Sequence, residues 1–530
     1  MPTSRPIYIG STPQLLVDNY VIEYVNFVTR VMHTPVKHPD NPIVKTDRPW
    51  EITSYFRTNT WNVHWDERES IYKLWYEDMG WDYDEFMRLE RSGEGRKDDE
   101  VAAIASYDAT IDNRLLYAES EDGIHWTKPE LDYRAVDGSK TNICFGNDVD
   151  GRIHACSILK DPIEEDDSQR YKAIYWNAFT GLEDSRISAA YSADGRKWTR
   201  YDKPFTIGQM SDRQLGDVII LTADEQTGMY FLDTRARAMQ EPPLNPKHAR
   251  VPGWGPAHFP NDPWRMAKRR VFSSTSYDIT NWPVLNEMLV PDDTDDVLDD
   301  EFYGLVRFRV GDLWLGLMPI FHRTFNTVDL HLLHSRDGFS WKRVNRGIPF
   351  IATSTEGWDR YMAETCSQPI FLDDETRIYY AGSDLHHDWW MFGEPEGLDV
   401  PEAQPGWNGG QTGLGLATLR PEGFVSLATD AREGVMGTHT FIGAGDALVV
   451  NAACAEKGFL SVELTDANDN VVPGYERSSC DTFTGDSTAH VVTWKGQTAL
   501  PARVLSSGAK LRFYSRYCDL YSFKICQPDP

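Results

Sequence analysis

Residues 120–126 read SEDGIHW, residues 192–198 read SADGRKW and residues 335–341 read SRDGFSW. A fourth stretch, SYDITNW at 276–282, keeps Ser, Asp and Trp at the same offsets and replaces the Gly. In each, the Asp carboxylate is suited to accept from the backbone amides of a tight turn. The Gly supplies a positive φ, and the Ser closes the remaining polar groups of the hairpin. The Trp then returns as an apolar plug between neighbouring sheets. One such hairpin at intervals of roughly 60 to 85 residues, with short strands and no long helical pattern between them, predicts a repeated all-β unit. The motif therefore reads as scaffold rather than chemistry.

The segments around these hairpins extend the pattern. SIYKLWYED (70–78), RYKAIYWNAF (170–179), GMYFLDTRA (228–236), DLWLGLMPIF (312–321) and TRIYYAGSD (376–384) are β-branched and aromatic runs, each preceded by an acidic turn. Before each turn lies another strand candidate: SYFRTNTWNVHW, GRIHACSIL, LGDVIIL, EFYGLVRF and YMAETCSQPIF. Five such pairs predict five radial sheets, a five-bladed β-propeller over about residues 45–425. After Pro421 the alternation changes, and residues 426–530 read as a β-sandwich. Residues 1–44 hold one strand candidate, QLLVDNYVIEY, as an extension that packs on either the propeller or the sandwich. The fold class is all-β.

Composition bounds the function. The 530 residues carry a formal net charge of −28, which repels polyphosphate and anionic membranes, so neither nucleic acid nor a membrane is expected as partner. Eighteen Trp and 24 Tyr exceed what a core needs, and such rings are platforms for flat, weakly apolar ligands. The seven Cys show no C-x-x-C spacing, so no zinc site or complete disulfide framework is indicated. The N-terminus lacks a basic segment followed by a long apolar run, which predicts a cytoplasmic protein if the start is native.

The repeated S-x-DG-x-x-W hairpins, the five strand pairs and the terminal sandwich resemble the five-bladed β-propeller glycoside hydrolases and phosphorylases, the superfamily that holds glycoside hydrolase families 32, 43, 68 and 130. No close counterpart of the family 32 signature NDPNG occurs, so the family within the superfamily stays open. The resemblance implies a carbohydrate substrate bound over the central axis. It implies catalytic carboxylates contributed by the innermost strands of different blades. No cofactor is expected, and the pair His386–His387 with Asp388, which could ligate a metal, is read as hydrogen-bonding because no matching ligand spacing accompanies it. The residues near the start of those strands are Arg57, Asn59 and Asn62, then His154, Asp217, Glu301 and Glu364.

Glycosidic cleavage needs one acid to protonate the leaving oxygen and a second carboxylate to activate water or attack the anomeric carbon. Asp217, Glu301 and Glu364 are the candidates, because each precedes or enters an inner strand. Substrate contacts are expected from Arg57, Asn59, His154, Arg235, His386, Trp254 and Trp389, several of them in the long insertions 77–100, 235–266 and 386–410. The leading expectation is an oligo- or polysaccharide hydrolase. One alternative is a polysaccharide lyase, in which His154 and a Tyr abstract a proton while Arg57, Arg235 and Arg237 clamp a uronate carboxylate. Another is a non-catalytic carbohydrate-binding protein. A phosphorylase needs a phosphate site, for which Arg57, Arg235 and Arg237 are the only loose candidates. Oligomeric state is open, a homo-oligomer being compatible with the sequence.

Overall fold

A computed structural model describes residues 6–52, 54–57, 59–81, 111–146, 153–176, 187–208, 218–239, 267–292, 296–297, 299–387 and 412–527. Five groups of antiparallel strands follow one another along the chain and form the blades of a β-propeller, the fourth and fifth joined into one sheet by a parallel pairing of Val328 with Met362. From the innermost strand outward, the second blade is His154–Lys160, Tyr171–Trp176, Ile187–Ser192 and Thr199–Arg200. The second strands are buried on both faces; Leu313–His322 has only its last residue partly exposed. Neighbouring blades cover both sides of each sheet, which is why these strands read as continuous apolar runs rather than as alternation.

The heptapeptide ends the third strand of four blades. In the second blade the Gly195 amide donates to Ser192 Oγ at 2.8 Å, and the amides of Arg196 and Lys197 donate to Asp194 Oδ1 at 2.8 and 2.9 Å. The turns at Ser120 and Ser335 repeat these bonds. Gly123, Gly195 and Gly338 have φ of 74°, 75° and 78°. The turn also joins blades. Trp75 of the first blade donates its indole N–H to the Gly195 carbonyl at 2.6 Å, and Tyr379 of the fifth donates to Gly123 at 2.9 Å.

The fifth blade lacks the motif, and its topology gives the reason. Its third strand, Thr412–Leu419, takes its outer partner from the N-terminal strand Val36–Lys37, so no hairpin is needed there. The expected single strand at 14–24 is two strands. Gln14–Leu15 pairs with the long C-terminal strand Ala509–Cys526, and Ile22–Asn26 pairs with Gly434–Thr438. Between them the Tyr20 amide donates to Asp18 Oδ1, a local turn that ends the run. Thr29–Met32 then pairs with Val425–Thr429. The N-terminal residues thus complete both the terminal sheets and the last blade.

The expected inner strands are also interrupted. In the first blade Ser54–Tyr55 and Trp61–Asp66 are separate strands on one partner, as are Asp300–Phe302 and Val306–Val310 in the fourth and Met362–Glu364 and Ile370–Phe371 in the fifth. In the second the register slips between His154 and Ser157, where Ala155 has φ of 51°. Such breaks re-aim side chains away from a regular pleat. Among the described residues no helix is long and apolar enough to cross a membrane.

Candidate active site

All four breaks lie near the start of an inner strand. The second strands of the blades finish at the same end, where segments 82–110, 177–186, 240–266 and 388–411 leave the described residues. Buried charged side chains collect at this end, and buried charge requires a partner.

In the first blade Glu77 is fully buried directly opposite Tyr55. Its carboxylate accepts from Asn113 Nδ2 at 2.6 Å, from His154 Nδ1 at 2.8 Å and from the Ala155 amide at 3.1 Å. In the neutral imidazole, Nδ1–H donation to Glu77 places the basic nitrogen at Nε2. Asn59, at φ of 68°, donates through Nδ2 to the Ala155 carbonyl at 2.8 Å. The buried amide oxygens of Asn59 and Asn113 have no hydrogen-bond partner. Two non-glycine residues in the left-handed region, abutting a carboxylate–imidazole pair, mark a place where the fold supports local strain.

Arg57 carries the network to the fifth blade. Its guanidinium donates to Tyr55 Oη at 2.9 Å, to Met362 Sδ at 3.3 Å and to the carbonyls of His386 and His387. Glu364 lies two residues beyond Met362 on the same face of its strand, 1% exposed. The His386 ring stacks on Tyr361 at 3.7 Å, and the His387 ring lies 4.9 Å from Tyr303 and 4.5 Å from Phe321 of the fourth blade.

Tyr303 in turn lies beneath two guanidiniums of the third blade, Arg235 at 3.9 Å and Arg269 at 5.0 Å. Glu301, opposite Phe321, is paired with both Arg269 and Arg323. A carboxylate held between two guanidiniums stays ionised and is a poor proton donor. A series of neighbours therefore runs from His154 to Glu77, from Tyr55 opposite Glu77 through Arg57, His387 and Tyr303 to Arg235 and Arg269, and from Arg269 to Glu301, touching all five blades.

Of the residues expected from sequence, Arg57, Asn59, His154, Arg235, Glu301, Glu364 and His386 fall along or beside this series. Asn62 does not; it bonds the Ile158 amide and the Cys366 carbonyl and ties blades together. Asp217, Trp254, Asp388 and Trp389 lie outside the described residues, as does the side chain of Arg237. Glu77, Asn113, Tyr303, Arg269 and Arg323 were not foreseen. Glu77 lies where the run read as a second strand meets the insertion 77–100, and its signal is a carboxylate following the aromatic stretch Trp75–Tyr76.

No family model matches the sequence, and no curated protein does. Solved structures similar to it include a β-1,2-mannobiose phosphorylase from Listeria innocua, in complex with β-1,2-mannobiose, at 12% identity over 73% of this chain and 96% of that chain, with a TM-score of 0.44. The catalytic domain of a GH62 α-L-arabinofuranosidase from Coprinopsis cinerea is 10% identical over 73% of this chain and 98% of that chain, TM-score 0.43. A glycosyl hydrolase from Bacteroides ovatus is 14% identical over 74% and 95%, TM-score 0.41. These three neighbours are glycoside hydrolases and a phosphorylase, and the pairing of this chain's own strands gives the five successive antiparallel groups that a five-bladed propeller uses.

Proposed function

We propose that the protein is a carbohydrate-active enzyme, and within that class a glycoside hydrolase whose substrate carries an anionic group. What supports this is the gathering of Glu77, His154, Glu301 and Glu364 with Arg57, Arg235, Arg269 and Arg323 where the inner strands of different blades begin. Glu364, in an apolar strand start, is the proposed general acid, and Asp217 the proposed second carboxylate. Glu301 holds Arg269 and Arg323 in place for the substrate. The guanidiniums suit a uronate carboxylate.

The test is product analysis on acidic and neutral glycans, with and without inorganic phosphate. A new reducing end independent of phosphate is the expected result. In Glu364→Gln kcat falls by about 10²-fold or more with the melting temperature unchanged; retention of activity in that variant removes Glu364 from the chemistry. The Glu77–His154 pair favours one second reading, a lyase with His154 Nε2 as the base. That reading requires a product absorbing in the near ultraviolet and loss of activity in His154→Gln. The arginine group favours glycosyl transfer to phosphate only if turnover stops when phosphate is withdrawn.

A further inference from the structure

A second cluster lies on the other face of the fourth blade. Asp329 and His331 alternate along the strand Thr327–Ser335, and His322 ends its partner strand, with Ile320 opposite Asp329. Asp300 lies opposite His322 on the inner strand. These four side chains share the face whose Met318 and Ile320 pack on Val271 of the third blade. Glu301, the next residue along, points the other way.

We propose that His322, Asp329 and His331 bind a first-row divalent cation of the zinc type. One ligand atom from each lies within 4.8 Å of the others. His322 Nε2 is 3.2 Å and His331 Nε2 is 2.9 Å from Asp329 Oδ1. A tetrahedral ion with bonds of about 2.0–2.1 Å needs ligand atoms about 3.4 Å apart, so a movement of a few tenths of an ångström opens the space. Two imidazoles and one carboxylate suit zinc, cobalt, nickel or ferrous iron better than calcium or magnesium.

The surroundings agree with that donor set. His322 Nδ1 donates to Asp300 Oδ1 at 2.7 Å, the carboxylate support that ligating imidazoles use to hold their orientation. His322 and Asp329 are 23% and 17% exposed, leaving an entry path, while His331 is buried. Arg343, opposite Leu333 on the neighbouring strand, is engaged by Asp296 at 2.5 Å. Buried His331 Nδ1 has no hydrogen-bond partner, so ligation through Nε2 leaves its proton unsupported. That makes His331 the weakest ligand and the site one that exchanges its ion. The open fourth position would be taken by water. A bound cation would brace the strand Asp300–Phe302, and with it Glu301.

Chelator-stripped protein titrated with Co²⁺ tests this independently of any enzymatic assay. One equivalent should bind with a visible tetrahedral absorption band, Zn²⁺ should displace it, and Asp300→Asn should weaken binding about tenfold. Asp329→Asn and His331→Gln should abolish the band; the second variant breaks only one hydrogen bond and guards against misfolding of the first. Absence of the band in the wild type, or its persistence in His331→Gln, overturns the assignment.

A different observation carries a second inference. Cys454 and Cys518 are directly opposed on the two longest strands of the terminal sheets, with their Sγ atoms 3.0 Å apart. Neither backbone amide binds the other residue; Cys454 donates to the Gly485 carbonyl and Cys518 to Thr429 Oγ1. Such opposed pairs lie within disulfide range. The geometry points to a cross-strand disulfide formed by exchange: both thiols lose their protons, the new S–S bond forms, and oxidised glutathione leaves as two reduced molecules. Protein equilibrated with oxidised glutathione, denatured and alkylated should yield a linked peptide containing both cysteines. Alkylation of both instead, or linkage to Cys480 or Cys526, overturns it.

Discussion

At the scale of single residues, Gly195 shows how a turn becomes a joint between blades. A Cβ there would sit 2.3 Å from Trp75 Cζ2, on a backbone already at φ of 75°. Gly195→Ala should cost about 2–4 kcal/mol, from the left-handed backbone and from overpacking. Gly228→Ala, with φ of 70° and nothing within 4 Å, should cost only about 1 kcal/mol. Urea midpoints of the two variants check the difference. His64 sets a pH dependence. Burial keeps it neutral, with the nearby Lys160 ammonium acting the same way, and together they outweigh its Nε2–H donation to the Ile158 carbonyl at 2.8 Å, so its pKa is lowered to about 4. The folded state therefore binds fewer protons than the unfolded one between pH 6.5 and 4, and stability falls over that window by about 2–3 kcal/mol. In His64→Gln that part of the slope should vanish from denaturation curves measured across the window. Residues of this kind are hard to foresee. The Asp and Gly of the repeat are legible because turn chemistry is local. The roles of Glu77 and His64 depend on partners some 80 to 95 positions away.

At the scale of elements, the blades were legible and their inner edges were not. Second strands announce themselves because two-sided burial demands unbroken apolar runs. The inner strands looked equally continuous in EFYGLVRF and YMAETCSQPIF, yet each is split. The fourth blade shows how this is accommodated. Pro319 has no N–H to donate, and its carbonyl accepts from the Tyr303 amide beside the break in the inner strand. Tyr303 is thereby placed under Arg235 and Arg269. Mending the break by deleting Gly304 should restore pairing, rotate Tyr303 out of the arginine pair, and remove activity while the far-ultraviolet spectrum stays native. Circular dichroism together with the product assay checks this. Sequence periodicity reports how a strand is buried and carries no signal for where it pauses, so the candidate site was legible only as positions along each strand.

At the scale of the whole molecule, the propeller and the terminal sheets share one segment. Strands between Ile7 and Met32 pair with residues 425–526, while Val36–Lys37 closes the fifth blade and Lys37 Nζ reaches Asp359 Oδ2 at 2.7 Å. Removal of residues 1–45 should leave two open sheet edges and yield aggregated protein, measured as soluble yield and loss of a cooperative melt. Calorimetry of the intact chain should show the two cores melting together rather than as separate transitions. The same closure has a consequence during synthesis. The segment 7–32 is translated several hundred positions ahead of its partners within 425–526. At roughly 5–20 residues per second it waits on the order of 25–100 s before its hydrogen bonds can be satisfied. Through that interval the nascent chain presents an unpaired edge, a natural client for holdase chaperones.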